Sequence, residues 1–205
     1  ERVAIARRAI AAFAAREDQL AEELCWMMGR PIRYAAGEIR GFVERASYMA
    51  DIAESALADI RLPDKPGFTR FIRREPLGVA LVIAPWNYPL TLAASDAVPA
   101  LLAGNGVLLK PDPQTTLVAA WVLEQMLLAG LPDGLMAIVP GEGPVAGPLV
   151  IDTVDHVMFT GSTATGRKVA EAAAANLTPT TLELGGKSPC IIDASCDLKD
   201  AALKI

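Results

Sequence analysis

The chain has 205 residues, of which 52% are hydrophobic and 21% are charged, and its formal net charge is −5. This composition is typical of globular proteins and excludes an intrinsically disordered chain. The acidic balance, with no long run of lysine and arginine, argues against nucleic acid or an anionic membrane surface as partner. The longest apolar stretch, 97–109, is too short and too interrupted to span a bilayer.

The single histidine rules out a His-rich metal site, and the cysteines do not have the spacing of metal ligands. Cys25, Cys190 and Cys196 are odd in number and have no metal-like spacing, and the only histidine is His156, to which we assign no role. With no signal peptide, reduced thiols and a cytoplasmic location are expected. Because both ends of the sequence lie within helical patterns, we expect a fragment of a longer protein.

The first part of the chain, residues 1–60, has apolar residues at helical spacing. This spacing predicts two amphipathic helices with a break at residues 29–31. Residues 61–78 change character: prolines and a glycine predict a turn, and TRFIRREP alternates as a half-exposed β-strand does. We therefore expect N-terminal helices followed by a β arm or linker.

From Val79 the pattern becomes regular. The short apolar runs VALVIA, GVLLK, LMAIV and HVMFT alternate with helical segments, as in a parallel sheet covered on both faces. The expected fold class is therefore α/β, with an open parallel sheet that begins at Val79. Ligands of such sheets bind beyond the carboxyl ends of the strands.

Asn87 and Lys110 each follow an apolar run. Asn87, within PWNYP, is restrained by flanking prolines and could donate to a developing oxyanion, or it could simply form a turn. Lys110 could bind ribose hydroxyls or phosphate, or it could be a solvated lysine at a strand end.

The segment TGSTATG and the acid Glu183 also lie at predicted strand ends. Gly161, Ser162 and Gly166 surround a helix start that could bind a phosphate, although a serine-capped helix needs no ligand. Glu183, between two leucines, could be a base facing a cavity, with burial raising its pKa, or an acid on an exposed strand face.

Taken together and in this order, EPLGVALVIAPWNYP, LLAGNGVLLKPDPQT, HVMFTGSTATGR and LELGGKSP resemble the aldehyde dehydrogenase superfamily. The resemblance runs continuously over 75–200. It implies an NAD(P)-binding Rossmann-like domain with an open parallel sheet over 79–182 and the start of a catalytic domain over 183–205. It also implies a β arm used for oligomerisation into a dimer or tetramer.

The resemblance also assigns roles to residues. Asn87 matches the oxyanion-hole amide and Glu183 the general base. The cofactor-binding positions are Trp86, Lys110, Gly161, Ser162 and Gly166. The implied reaction is oxidation of an aldehyde to a carboxylate through a cysteine thioester, with hydride passing to NAD(P).

The nucleophilic cysteine of this family lies in a motif beyond ELGG, so Cys190 is not its counterpart. Cys190 begins CIID, which predicts a buried strand in which the thiol packs as a small hydrophobe. Cys25 and Cys196 are also expected to be structural. The chain alone is therefore expected to lack dehydrogenase activity.

The resemblance narrows cofactor and substrate as well. Where many NAD-preferring members have an acid three residues after the lysine, this chain has Pro113, which favours NADP, although Asp112 next to it weakens the argument. The segments KPDPQTTLVAAWVLEQMLLAGLP, GEGPVAG and FTGSTATGR look most like those of succinate-semialdehyde dehydrogenases, which implies a short aldehyde with a carboxylate as substrate. The alternatives are a broad-specificity aldehyde dehydrogenase and a non-catalytic nucleotide-binding or assembly module. A generic Rossmann dehydrogenase is disfavoured because PWNYP replaces the glycine-rich turn.

Overall fold

A computed structural model describes residues 1–204. It begins with three helices, α1 (Arg2–Ala14), α2 (Glu17–Met28) and α3 (Ile32–Leu57), and a pair of short strands, β1 (Ile60–Arg61) and β2 (Phe71–Ile72). The elements that follow are β3 (Val79–Ile83), α4 (Pro89–Leu102), β4 (Gly106–Lys110), α5 (Thr116–Leu128), β5 (Met136–Ile138), α6 (Gly143–Ile151), β6 (His156–Thr160), α7 (Thr163–Ala175), β7 (Thr180–Glu183) and α8 (Leu198–Lys204).

The N-terminal region contains three helices, so the prediction of two is wrong. Ala15 and Arg16 separate α1 from α2, and Arg16 leaves helical geometry with φ −113° and ψ 19°. Neither residue is glycine or proline, so the sequence carries no signal of this break. The break at residues 29–31 is confirmed: Gly29 ends α2 at φ 74°, a conformation that glycine adopts without strain.

The β arm is present but shorter than its alternating pattern suggested. β1 and β2 pair antiparallel, with Ile60 opposite Ile72 and Arg61 opposite Phe71. All four residues are exposed. The half-buried face that the alternation indicated is therefore not covered by any element within residues 1–204.

The predicted parallel sheet is confirmed. Five parallel strands lie in the order β5-β4-β3-β6-β7, with β3 at the centre. The four apolar runs form β3 to β6, and TTLE forms the edge strand β7. The chain passes from β3 outward to β4 and β5, and then returns to the other side of β3 to form β6.

Helices cover both faces of this sheet. Ala80 and Val82 of β3 pack into a core formed with α1 to α5. Leu81, between them in sequence, points to the opposite face and packs with α6 and α7, as does Val157. Successive strand residues face opposite sides, so a strand buried on both faces needs an uninterrupted apolar run.

The segment after β7 contradicts one prediction. CIID forms neither helix nor strand, Cys190 is exposed, and Ile191 is 87% exposed. The expected buried strand is wrong because no strand within residues 1–204 lies beside this run to pair with it. α8 has no buried residue either. None of the helices up to residue 204 is long and apolar enough to cross a membrane.

Candidate functional site

An open cavity of about 1320 Å³ lies at the carboxyl ends of β3, β4, β6 and β7. This is the point at which the strand order reverses, where open α/β sheets form a crevice for ligands. The cavity lining includes six of the predicted site residues: Trp86, Asn87, Lys110, Gly161, Ser162 and Glu183. The structure therefore brings together residues that are far apart in the sequence.

Trp86 and Asn87 lie in the loop between β3 and α4. Both side chains are exposed at the cavity, and the Trp86 side chain is 52% exposed. Proline residues at positions 85 and 89 fix one backbone dihedral on each side of the loop. The loop is therefore restrained, and it presents an amide to the cavity where a ligand can reach it.

Lys110, the last residue of β4, is only 3% exposed. Its Nζ donates to the carbonyl oxygens of Pro111, at 2.9 Å, and Gly141, at 3.0 Å. Burial lowers the pKa of Lys110, and the charges of Asp112 and Glu142 act against this shift. An ammonium group has three N–H donors. Two are used within the chain, which leaves one for a ligand in the cavity.

Ser162 begins α7 as its N-cap residue. Its Oγ accepts from the backbone N–H of Thr165 at 3.2 Å and donates to the Thr165 hydroxyl at 2.9 Å. The backbone N–H of Gly161 donates to the carbonyl oxygen of Glu183 at 3.0 Å. Both alternatives for this helix start therefore have support: it is capped locally, and it also lines the cavity.

Gly166 is the predicted site residue that the cavity lining does not include. It is buried on α7. A Cβ atom added there would lie 2.5 Å from Cδ2 of Leu184, the residue that follows Glu183. Gly166 thus allows close packing of α7 against the end of β7, which is a structural role next to the site.

Glu183 ends β7 and lines the cavity, and its side chain is exposed. The two alternatives for this acid, a residue facing a cavity and a residue on an exposed strand face, are therefore both partly correct. The exposure has a simple cause. β7 is the edge strand of the sheet and only β6 pairs with it.

Sequence reasoning missed a second acid at this cavity, Asp96. It lies on α4, where burial and the negative charge of Glu183 raise its pKa to about 6, and Arg45 acts in the opposite direction. The signal was visible, because Asp96 is a lone acid in the apolar helix TLAASDAVPALL.

The ion pair between Arg30 and Glu38 was also missed. Glu38 is 2% exposed, and the Nη1 atom of Arg30 lies 2.6 Å from its Oε2. Burial raises the pKa of Glu38, and this shift is opposed by the backbone N–H of Thr91, the charge of Arg30 and the backbone N–H of Leu90. Arg30 also donates to the backbone oxygen of Asn87. The pair thus reaches the loop that carries a predicted site residue.

No cysteine is among the residues that line the cavity. Cys190 and Cys196 lie in the exposed segment after β7, and Cys25 is on α2. Within residues 1–204, histidine, cysteine and carboxylate side chains form no group of three that could hold a metal ion. The described part of the site offers an amide, carboxylates and ammonium groups.

The fold and this cavity are those of an α/β protein with a ligand crevice at the switch point of a parallel sheet. The family model described as Aldehyde dehydrogenase family matches residues 1–205. The chain therefore belongs to the aldehyde dehydrogenase family, as its four motifs predicted.

Two curated relatives illustrate the match. A Mycobacterium tuberculosis protein named "Putative succinate-semialdehyde dehydrogenase" with NADP+ as cofactor is 41% identical over 204 residues, which are 98% of this chain and 39% of that protein. A Schizosaccharomyces pombe protein named "Probable betaine aldehyde dehydrogenase" is 42% identical over 177 residues, 83% of this chain and 35% of that protein. The chain thus spans about two fifths of the length of these relatives or less.

Two solved structures agree with the fold. A Burkholderia cenocepacia protein described as a putative aldehyde dehydrogenase superimposes with a TM-score of 0.92 at 38% identity, covering 100% of this chain and 43% of that one. The NAD+ complex of aldehyde dehydrogenase from Bacillus cereus gives a TM-score of 0.91 at 33% identity, covering 98% of this chain and 41% of the Bacillus chain.

Proposed function

We propose that the protein to which this chain belongs oxidises an aldehyde to a carboxylate with NAD(P), and that this chain supplies the nucleotide crevice, the oxyanion donor and the general base. The observation that carries the proposal is the convergence of Asn87, Lys110, Ser162 and Glu183 on one cavity. The nucleophilic cysteine would come from residues outside 1–204.

The chemistry of the residues fits these roles. When the cysteine thiolate adds to the aldehyde carbon, the carbonyl oxygen would become an oxyanion, and the Asn87 amide, which lines the cavity, would donate to it. Bound NAD(P) supplies the oxidant that accepts the hydride. Glu183 would then take a proton from the water that cleaves the thioester, which releases the carboxylate and the thiolate.

The cavity also fits a nucleotide. Lys110 has one N–H donor that the chain does not use, which suits ribose hydroxyls. The N-terminus of α7 faces the same cavity through Ser162, where a helix dipole favours a phosphate. Trp86 provides an apolar surface beside them.

We propose NADP as the preferred cofactor. Pro113 offers no carboxylate that would repel a 2′-phosphate. The neighbouring Asp112 acts against this preference, because it lines the cavity, where its Oδ1 accepts from the backbone N–H of Gln114 at 2.9 Å. The Mycobacterium relative is named as an NADP+ enzyme, which supports the same preference. The Bacillus neighbour binds NAD+, so the preference has to be measured.

We propose succinate semialdehyde as the substrate, supported by the name of the Mycobacterium relative. The alternative is a different aldehyde, or a broad range of aldehydes. The Schizosaccharomyces relative supports this alternative, because it is 42% identical and is named for a different aldehyde. Three further statements remain predictions: a homo-oligomer built through the β arm, a cytoplasmic location, and a division of the chain into residues 1–60, 61–78, 79–182 and 183–205.

The proposal is tested first by nucleotide binding to the chain itself. Tryptophan emission is followed while NADPH or NADH is added, since Trp86 lies at the cavity. We expect saturable binding that is tighter for NADPH. Lys110→Met should weaken it about tenfold, because one charge-assisted hydrogen bond is lost. The matched control is Lys199→Met on the exposed helix α8.

Equal affinities of the Lys110 and Lys199 variants would contradict the assigned role of Lys110, and absence of saturable binding would contradict the nucleotide crevice. Equal affinities for the two cofactors would remove the NADP preference. If the 205-residue chain alone oxidised an aldehyde and Cys190→Ala abolished this activity, the proposed origin of the nucleophile would be wrong.

A further inference from the structure

We propose that the buried Arg30–Glu38 pair is a positioning device for Asn87: it clamps the loop between β3 and α4 and so fixes where the oxyanion-donating amide lies. Both residues belong to the N-terminal helical region, Arg30 between α2 and α3 and Glu38 on α3. The inference rests on the proposed function for the role of Asn87. The contacts themselves are independent of that role.

Glu38 caps α4 from another element. Its Oε1 accepts from the backbone N–H of Leu90 at 2.8 Å and of Thr91 at 3.2 Å. These N–H groups belong to the first turn of α4, where no intrahelical acceptor exists. Tyr88, the residue at the N-cap position, makes no side-chain cap hydrogen bond. Glu38 therefore supplies the acceptor that the sequence of α4 does not provide.

The backbone of Glu38 holds the same turn. The hydroxyl of Thr91 donates to the carbonyl oxygen of Glu38 at 3.1 Å. The side chain of Glu38 has no exposed surface, so water does not compete for these bonds. The start of α4 is consequently tied to α3 at three donor groups.

Arg30 holds the residues just before this turn. Its Nη2 donates to the backbone oxygen of Asn87 at 2.5 Å, and its guanidinium lies over the Tyr88 ring, 4.3 Å from the centroid. Its Nη1 lies 2.6 Å from Oε2 of Glu38. One guanidinium thus makes three contacts in different directions, which a lysine ammonium on a flexible stem cannot reproduce together.

These contacts restrain the loop from Asn87 to Thr91 from one side. The prolines within PWNYP limit the conformations that the loop can adopt, and the Arg30–Glu38 pair selects one of them. Such a restraint matters for a donor, because an oxyanion hole works only when its N–H group is already in place as the charge develops. If the loop were displaced, the side-chain amide of Asn87 would still be present, but its N–H group would not point at the developing oxyanion.

The ion pair between Arg40 on α3 and Glu17 on α2 provides a matched control. Arg40 Nη1 lies 2.6 Å from Glu17 Oε1, the same distance as in the Arg30–Glu38 pair. Arg40 is exposed, and no contact links it to the Asn87 loop. Arg40→Lys therefore changes an ion pair of the same chemistry in the same helical region.

The experiment compares Arg30→Lys and Glu38→Gln with Arg40→Lys. In the 205-residue chain, the side-chain amide resonances of Asn87, assigned with Asn87→Asp, and hydrogen exchange at Leu90 and Thr91 are measured by NMR. In the longer protein, meaning the full-length protein to which this chain is proposed to belong, kcat for aldehyde oxidation and KM for the cofactor are measured. Thermal unfolding confirms that each variant is folded under assay conditions.

We expect Arg30→Lys to lower kcat about tenfold or more, with KM for the cofactor unchanged and the Asn87 resonances shifted or broadened. Glu38→Gln keeps an oxygen acceptor and should show a smaller loss of kcat and faster exchange at Leu90. Arg40→Lys should behave as the unmodified protein. Together these results would support the clamp.

The clamp is overturned if Arg30→Lys leaves both kcat and the Asn87 resonances unchanged, or if it merely lowers the unfolding temperature in step with Arg40→Lys. If the unmodified longer protein oxidises no aldehyde, the proposed function fails. The NMR comparison in the 205-residue chain then still decides whether Arg30 and Glu38 hold the loop.

Discussion

Two stretches that follow strands at the same edge of the sheet differ in how they are held. The loop after β3, which carries Asn87, is contacted by Arg30 and Glu38. The stretch after β7, residues 184–197, is exposed throughout and forms no regular structure. Both border the cavity, the first through Asn87 and the second through Leu184 and Gly185.

The difference shows that proximity to a strand end does not by itself position a side chain. Strand ends place residues at one edge of the sheet, but packing from another element decides whether they stay there. The Asn87 loop receives this packing from helices that precede it in the chain. Glu183 itself is anchored through its backbone oxygen and the Gly161 N–H, whereas the residues beyond it have little to pack against.

The largest expected effect concerns the held loop. Asn87→Ala removes the proposed oxyanion donor, so kcat of the longer protein should fall about 100- to 1000-fold. Cofactor binding, measured by tryptophan emission, should be unchanged. The control is Asn176→Ala, an exposed amide bonded to Asp152. Full activity of the Asn87 variant would show that the held loop is structural only.

The second prediction concerns the acid that faces Glu183 from α4. The pKa of Asp96, about 6 in the folded chain, lies above its ordinary value of 3.8. The folded state therefore binds a proton at Asp96 more tightly than the unfolded state does. The free energy of unfolding is correspondingly higher at low pH, and this gain is lost as pH rises from about 4 to about 6. Asp96→Asn should then raise the free energy of unfolding by roughly 1–3 kcal/mol at pH 8, since one pKa unit corresponds to about 1.4 kcal/mol.

Urea unfolding of the Asp96 variant at several pH values checks this expectation. The gain over the unmodified chain should shrink as pH falls and disappear below about pH 3, where Asp96 is protonated in both the folded and the unfolded state. Asp133→Asn, an exposed acid, is the matched control. A gain that is independent of pH would show that burial and the charge of Glu183 do not raise the pKa of Asp96 in the folded chain.

The smallest expected effect lies in the exposed stretch. Cys190→Ser should change the free energy of unfolding by no more than about 0.5 kcal/mol, because surface substitutions rarely do more. A buried thiol, as the run CIID indicated, would be more sensitive to a polar hydroxyl. If urea unfolding showed a clear loss of stability in this variant, residues 184–197 would be packed against the rest of the chain, as the loop after β3 is.

Several features could be predicted because each depends on local chemistry. Uninterrupted apolar runs specify strands buried on both faces, and VALVI and HVMFT became β3 and β6. Parallel strands place their carboxyl ends at one edge, so Asn87, Lys110 and Glu183 had to lie near one another once the sheet was correct. The four motifs also identified the family that the whole chain matches.

Other features depended on what packs against each segment, which local sequence does not record. CIID has the composition of a buried strand, yet no neighbouring strand within residues 1–204 covers it. Arg30 and Glu38 look like ordinary charged residues of a helical region. Only the tertiary structure places them against the start of α4, because a buried charge needs partners and those partners lie some fifty residues further along the chain.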